Sequence, residues 1–440
     1  MKYFGTDGIR GQYRGPIVND EFAYCFGLAL SNYLKDFHGR IGKVLLGRDT
    51  RPSGESLMSS LSIGLEDGGA QPFEAGILPT PALSFGVMDG EYDLGVMITA
   101  SHNPAPDNGF KIFSKKGEKL PVEEEDFIES KLNRTLRLPD KKKEGSCQSD
   151  ALQAYIEQLM ERFPKNFLHG RKIVADMANG ATIETTPKVL SCFGAEVLDM
   201  NVGDGIINDG TGSEYPELML ERVRETKADF GIAHDGDGDR VIFADGEGNC
   251  IHGDQVLGLL ALDASRSDSL TGNGLVATEH SNSGLGASLA NEGIDFFRSQ
   301  VGDRNVSLLM KEKGCNLGGE SSGHVVANDY LPTGDGLFTA LRVAHAVERN
   351  QKSIRELAEE ITLWPSKVGS FGVEEKIPLS EKPELVKALE RANRQFGQDG
   401  RILLRYSGTE PKIRLLVEGI DRNLVSRIFN LLSTSIEKIL

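Results

Sequence analysis

Apolar strands that end abruptly in polar, glycine-bearing loops recur along this chain, and that recurrence constrains its fold more than any other feature. Val44-Leu45-Leu46-Gly47 stops at Arg48-Asp49, and Leu57, Leu61 and Leu65 follow at the spacing of a helix that buries one face. Ser53 is placed to cap that helix. Leu94-Gly95-Val96-Met97-Ile98 runs straight into Thr99-Ala100-Ser101-His102-Asn103-Pro104. The alternation restarts with a strand at Lys172-Ile173-Val174-Ala175-Asp176, a helix through Leu190 and a strand at Glu196-Val197-Leu198. A helix near Leu218 to Thr226 then leads into Asp229-Phe230-Gly231-Ile232-Ala233. A third set has strands near Leu275-Val276-Ala277, Asp295-Phe296-Phe297 and Asn316-Leu317. This alternation predicts parallel α/β units. After Trp364-Pro365 the pattern changes. Strands near Arg401-Ile402-Leu403-Leu404 and Lys412-Ile413-Arg414-Leu415-Leu416-Val417 lie between two helical patterns, which predicts a smaller α+β module.

A length of 440 residues suits two to four such modules, and 39% hydrophobic with 26% charged residues fits soluble domains with real cores. The polar run Pro139-Asp140-Lys141-Lys142-Lys143-Glu144-Gly145-Ser146 is a boundary candidate. A net charge of -16 argues against sequence-independent nucleic-acid binding, which needs clustered Lys and Arg. It leaves room for a small anionic substrate, because a few local arginines can dominate one cleft. No apolar run is long enough to span a bilayer, and the N-terminus lacks the apolar core of a secretory signal. Cys25, Cys147, Cys192, Cys250 and Cys315 are scattered singly and suggest neither a disulfide framework nor a zinc site. The expectation is a cytoplasmic protein.

Ligands of open parallel sheets bind outside the carboxyl ends of strands, where the polar loops of this chain fall. In His234-Asp235-Gly236-Asp237-Gly238-Asp239-Arg240 three carboxylates alternate with glycines, so in an extended turn they converge. Close anions repel unless a cation sits among them, and hard oxygen ligands favour Mg²⁺ or Ca²⁺. The EF-hand spacing is not met: Arg240 and Gly246 stand where that loop needs glycine and glutamate. Ser101 reads either as a turn serine or as a nucleophile that carries a phosphoryl group. Phe4-Gly5-Thr6-Asp7-Gly8-Ile9-Arg10-Gly11 is a glycine-rich turn with one guanidinium, and Gly109-Phe110-Lys111 places a lysine close in sequence to Ser101. Gly318-Gly319-Glu320-Ser321-Ser322-Gly323-His324 offers groups for sugar hydroxyls and a histidine for proton exchange. Arg405-Tyr406-Ser407-Gly408-Thr409-Glu410-Pro411-Lys412-Ile413-Arg414 combines hydroxyls, a glycine turn and two arginines, which suits a phosphate dianion.

In this order the five motifs resemble the α-D-phosphohexomutase superfamily over the whole chain. The resemblance implies three similar α/β domains with mixed, mainly parallel sheets, plus a smaller C-terminal α+β domain, around a central cleft. Their expected bounds are 1–150, 151–252, 253–365 and 366–440. It implies that Ser101 is the phosphoserine, and that Ser101, Asp235, Asp237 and Asp239 hold one Mg²⁺ per chain. It places Glu320 and Ser322 on the sugar, with Arg405, Ser407, Gly408, Thr409 and Arg414 clasping the remote phosphate. Lys111, His324, Arg10, His102 and Arg240 would assist near Ser101. The implied reaction turns glucosamine 6-phosphate into glucosamine 1-phosphate through a hexosamine 1,6-bisphosphate, toward UDP-N-acetylglucosamine and peptidoglycan precursors, in a chain that could form a homodimer. Ser321 stands where amino-sugar members usually carry glutamine or asparagine, so a phosphomannose or phosphoglucose mutase is the alternative. A phosphatase with an aspartyl nucleophile and a non-catalytic sensor are the remaining rivals.

Overall fold

The computed structural model describes residues 2–39, 42–140, 147–407 and 411–438. The chain forms two compact units, one of Met1–His280 with Ile294–Glu360, the other of Ser281–Gly293 with Ile361–Leu440. Each is described by itself.

The larger unit carries three sheets. The first has six strands in the order Ile9–Gln12, Asp107–Ser114, Leu94–Ile98, Lys43–Arg48, Gln71–Ile77 and Cys147–Gln148. The second runs Cys250–Ile251, Val241–Ala244, Phe230–His234, Lys172–Asp176 and Glu196–Met200. The third runs Asp295–Ser299, Gly274–Thr278, Leu317–Gly319, Val325–Ala327 and Leu331–Gly334. Each sheet is mixed, parallel at one side and antiparallel at the other. The antiparallel share exceeds what strand–helix alternation suggests, and the reason is loop length. After Leu94–Ile98, Phe230–His234 and Leu317–Gly319 the chain returns after a few residues, far too few for a parallel crossover. Those three returns are the Ser101, aspartate and Glu320 loops. The same place in three sheets therefore supplies all three, each after a wholly buried strand.

Packing under the first sheet depends on glycine. Helices Asp20–His38 and Gly54–Asp67 cross so closely that a Cβ on Gly64 would lie 2.1 Å from the Tyr24 carbonyl oxygen, and one on Gly27 2.4 Å from that of Leu61. Asn19 caps the first of these helices through Phe22 N at 2.8 Å. Ser53 does not cap the second, contrary to the sequence expectation. Its backbone is already helical (φ -74°, ψ -15°), so its oxygen cannot turn back on the first turn. The hydroxyl accepts from Asn108 Nδ2 at 2.9 Å instead.

The smaller unit has an antiparallel sheet, Ser366–Gly372, Lys412–Gly419 and Gly400–Tyr406, with helices Pro383–Phe396 and Arg422–Glu437. Leu385, Phe396, Ile413, Leu415, Val417, Ile428 and Leu432 form its core. This is the expected α+β module. Strand Ser366–Gly372 is mostly exposed and carries no apolar alternation, which is why sequence pattern passes over it. Among the described residues no helix is long and apolar enough to cross a membrane.

Candidate active site

Ser101 begins the first loop in the left-handed region, at φ 53°. This conformation is rare for a residue with a Cβ and marks a position held by its surroundings. Its amide donates to Thr99 Oγ1 at 2.8 Å, and its hydroxyl donates to Asp235 Oδ2 at 2.7 Å across 134 residues of sequence. His102 Nδ1 lies 3.4 Å from the same hydroxyl. The pairing of serine loop and aspartate loop is thus a direct contact between two sheets.

Asp235, Asp237 and Asp239 converge as their spacing predicts, with one oxygen of each within 4.8 Å of the others, all buried. Asp235 Oδ1 accepts from Arg240 N at 3.2 Å. Lys111 Nζ donates to Asp237 Oδ2 at 2.8 Å and Asp239 Oδ2 at 2.7 Å, and lies 3.2 Å from Asp7 Oδ2. Thr80, first residue of helix Thr80–Asp89, gives Asp237 Oδ2 a hydroxyl bond at 2.6 Å and Asp237 O an amide bond at 2.8 Å. That helix directs its N-terminal partial charge at the aspartate loop.

One oxygen on each of two aspartates is left over. Among the described residues, Asp237 Oδ1 is buried without a donor. Of the described residues, Asp239 Oδ1 is approached by His324 Nδ1 at 3.5 Å and Arg240 Nε at 3.9 Å, without a hydrogen bond. A buried carboxylate oxygen without a partner is costly, and a divalent cation between these oxygens would satisfy both. The donor set is all hard oxygen, so the residues fit Mg²⁺. The charges around it are graded. Burial, then Asp239 and Asp237, push Asp235 well above the carboxylate range. Burial works the same way on Asp239, but Lys111 and His324 bring it well below that range. Burial opposes the charge on Lys111, yet Asp237, Asp239 and Asp7 hold it well above the usual lysine value.

The third loop closes on the second. Arg240 and His324 form an isolated antiparallel bridge, and Glu320 N donates to His324 O at 2.9 Å. Glu320 Oε1 accepts from Gly302 N at 3.1 Å, and Ser322 lies half-buried in the same turn. Among the described residues His324 Nε2 is buried with no hydrogen-bond partner, 3.8 Å from Asp303 Oδ2. Burial lowers the basicity of this ring, but Asp239 and Asp303 raise it above the ordinary histidine value. His102 goes the other way, to about 4, through burial and the nearby Arg240 charge. Arg10, opposite Gly109 in the first sheet, pairs with Asp7, and Arg240 Nη1 reaches Glu214 at 3.3 Å.

Ser101, His102, Lys111, Arg10, the three aspartates, Arg240, Glu320, Ser322 and His324 are therefore gathered in the larger unit. Arg405, Ser407 and Arg414 belong to the smaller one. There Arg405 and Arg414 face each other across two strands, and Ser407 N donates to Lys412 O at 2.8 Å. Gly408 and Thr409 lie outside the described residues. Sequence reasoning missed Thr80, Arg51, Asn208 and Lys119, whose ammonium pairs with Asp7 and Asp303. Thr80 was findable, since it follows a strand of the first sheet closely, on the side where the other loops sit.

Comparison with known proteins bears on the whole chain. Family models described as phosphoglucomutase/phosphomannomutase match in chain order: alpha/beta/alpha domain I over residues 1–137, domain II over 153–248, domain III over 252–363 and the C-terminal domain over 371–433. A phosphoglucosamine mutase of Arthrobacter sp. (strain FB24) is 41% identical over 444 aligned residues, 99% of this chain and 98% of that one. In fold, the chain matches a phosphoglucomutase/phosphomannomutase family protein from Burkholderia thailandensis with TM-score 0.80 at 23% identity, over 98% and 97% of the two chains. It also matches an N-acetylphosphoglucosamine mutase of Aspergillus fumigatus, solved with GlcNAc-6P and magnesium, with TM-score 0.68 at 17% identity, over 99% and 95%.

Proposed function

The chain belongs to the phosphoglucomutase/phosphomannomutase family, and on that premise we propose that it interconverts glucosamine 6-phosphate and glucosamine 1-phosphate. The observation that carries the chemistry is the 2.7 Å bond between the buried Ser101 hydroxyl and Asp235, one of three converging carboxylates. The amino sugar rests on the name of the relative that shares 41% of its residues with this chain.

In the forward direction Ser101 starts as a phosphoserine. The sugar O1 attacks phosphorus, the Ser101 Oγ–P bond breaks, and a hexosamine 1,6-bisphosphate forms. The proton released from O1 is balanced by the proton that the Ser101 alkoxide regains. The bisphosphate turns around, Ser101 Oγ attacks the 6-phosphoryl group, and glucosamine 1-phosphate leaves. This splits one difficult transfer into two easier ones. Lys111 commits its ammonium hydrogens to carboxylates and serves as fixed positive charge. His324 Nε2, with no partner among the described residues, would exchange a proton with a sugar hydroxyl. Arg10 and Arg240 add charge beside the transferring group. A Mg²⁺ held by Asp235, Asp237 and Asp239 would neutralise charge on the transferring phosphoryl group. In this reading Arg405, Ser407 and Arg414 of the smaller unit bind the phosphate that is not reacting. The proposed setting is cytoplasmic, in keeping with five cysteines that are all free thiols.

The substrate is tested by comparing kcat/KM for glucosamine 6-phosphate, glucose 6-phosphate and mannose 6-phosphate. The amino sugar is expected to lead by at least about tenfold, a difference of one buried polar contact. Equal or higher values for either neutral hexose would reassign the substrate.

A further inference from the structure

We propose that Arg51 and Asn208 are positioning residues that fix the backbone of the Ser101 loop from two sheets at once, and so set where the nucleophile points. The inference rests on the phosphoserine reading above. Arg51 is wholly buried, and each of its guanidinium hydrogens has an acceptor. Nε donates to Asp49 Oδ2 at 2.9 Å. Nη1 donates to the carbonyls of Pro104 at 2.6 Å and Asp107 at 2.9 Å, and Nη2 to those of Ser101 and Asn103, both at 2.8 Å. One side chain thus satisfies four carbonyls of the reactive loop and its exit.

Asp49 completes the frame. It accepts from Thr99 Oγ1 at 2.6 Å, and that hydroxyl in turn accepts from Ser101 N. The amide and the carbonyl of Ser101 are therefore both tied to the Asp49–Arg51 pair.

The second anchor comes from the aspartate sheet. Asn208 Nδ2 donates to Ser101 O at 2.8 Å and Asn103 O at 3.0 Å. Asn208 is itself held by Ala178 O through its amide at 3.0 Å. Its neighbourhood is strained in the same way as the serine. Ser101, Ala178, Asn179, Asn201 and Asn208 all have φ between 51° and 59°, a conformation that side-chain-bearing residues keep only where the surroundings over-determine it. Gly236 packs into the junction, and a Cβ there would lie 2.8 Å from both Asn208 Nδ2 and Ser101 O. The serine loop, the asparagine loop and the aspartate loop thus meet at one carbonyl oxygen. A donor at that oxygen does nothing for substrate binding, but it fixes the line from Ser101 Oγ to the aspartates.

The test is Asn208→Ala, with Arg51→Lys beside it. Each is read by kcat, KM, thermal midpoint and the mass of the chain after incubation with a hexosamine 1,6-bisphosphate. Asn208→Ala is expected to fold, to keep KM within about threefold and to lose about 10–100-fold in kcat, the range in which small misplacements act. Arg51→Lys keeps a charge for Asp49 but cannot reach four carbonyls, and is expected to lose more. If it fails to fold, Asn208→Ala decides alone. A folded Asn208→Ala protein with wild-type kcat, or with a loss confined to KM, overturns the proposal. Wild-type protein that never takes up phosphate removes the phosphoserine reading and the clamp with it. A variant that takes up phosphate and turns over like wild type removes the clamp alone.

Discussion

Ser101→Ala is expected to abolish turnover, by at least on the order of 10⁴-fold in kcat, the scale seen when a covalent nucleophile is deleted. The substitution removes one oxygen that donates a single hydrogen bond, to Asp235 Oδ2. The loop does not depend on that oxygen, because Arg51, Thr99 and Asn208 hold its backbone. Stability should change by about 1 kcal/mol, the usual worth of one such bond. The variant should thus fold, keep its Mg²⁺ response and take up no phosphate. Retention of even a tenth of wild-type turnover in a folded Ser101→Ala protein would show that Ser101 carries no obligatory step.

Asp237→Asn is expected to produce the second-largest effect, on metal binding first and on activity through it. Asp237 Oδ2 is occupied by Lys111 and Thr80, while Oδ1 is buried with no donor. An amide in this place keeps one acceptor for Lys111 and Thr80. It turns the other position into N–H donors facing the two remaining aspartates, where a cation would have to sit. Mg²⁺ affinity should fall by more than the ~10–100-fold that even outer-shell partners of a metal typically cost. The readout need not be catalytic. A bound ion at about 100 times its Kd stabilises the native state by about 2.7 kcal/mol, so wild-type protein should gain several degrees in thermal midpoint on adding Mg²⁺. Asp237→Asn should gain almost none. An equal gain in both proteins would place the ion elsewhere.

Much of this arrangement is legible in the sequence. The aspartate loop could be read from spacing alone, because alternation with glycine dictates convergence. Ser101 could be placed at a strand end, and its partner followed from the company of the other motifs. The alternation of strands and helices showed the α/β units but overstated how parallel their sheets are, since short loops force a hairpin where the pattern shows only the next strand. Lys111 illustrates a second limit. A lysine in a strand reads as exposed, yet this one is buried because three carboxylates from two other segments surround it. Arg51 reads as one more surface charge in Arg48-Asp49-Thr50-Arg51, and nothing local says that four carbonyls of a loop fifty residues on are waiting for it. Such residues are invisible to pattern because their partners come from tertiary folding. Ser53 shows the converse, a local signal for a cap that a distant asparagine overrides.

The central claim is that Ser101 carries the phosphoryl group between the two ends of the sugar. Its most direct test is the intact mass of the wild-type chain before and after incubation with a hexosamine 1,6-bisphosphate and Mg²⁺, followed by mapping of the modified peptide. A mass gain of one phosphate, stable to hydroxylamine and located on Ser101, is the predicted result. No gain, or a hydroxylamine-labile phosphate on Asp235, would contradict it.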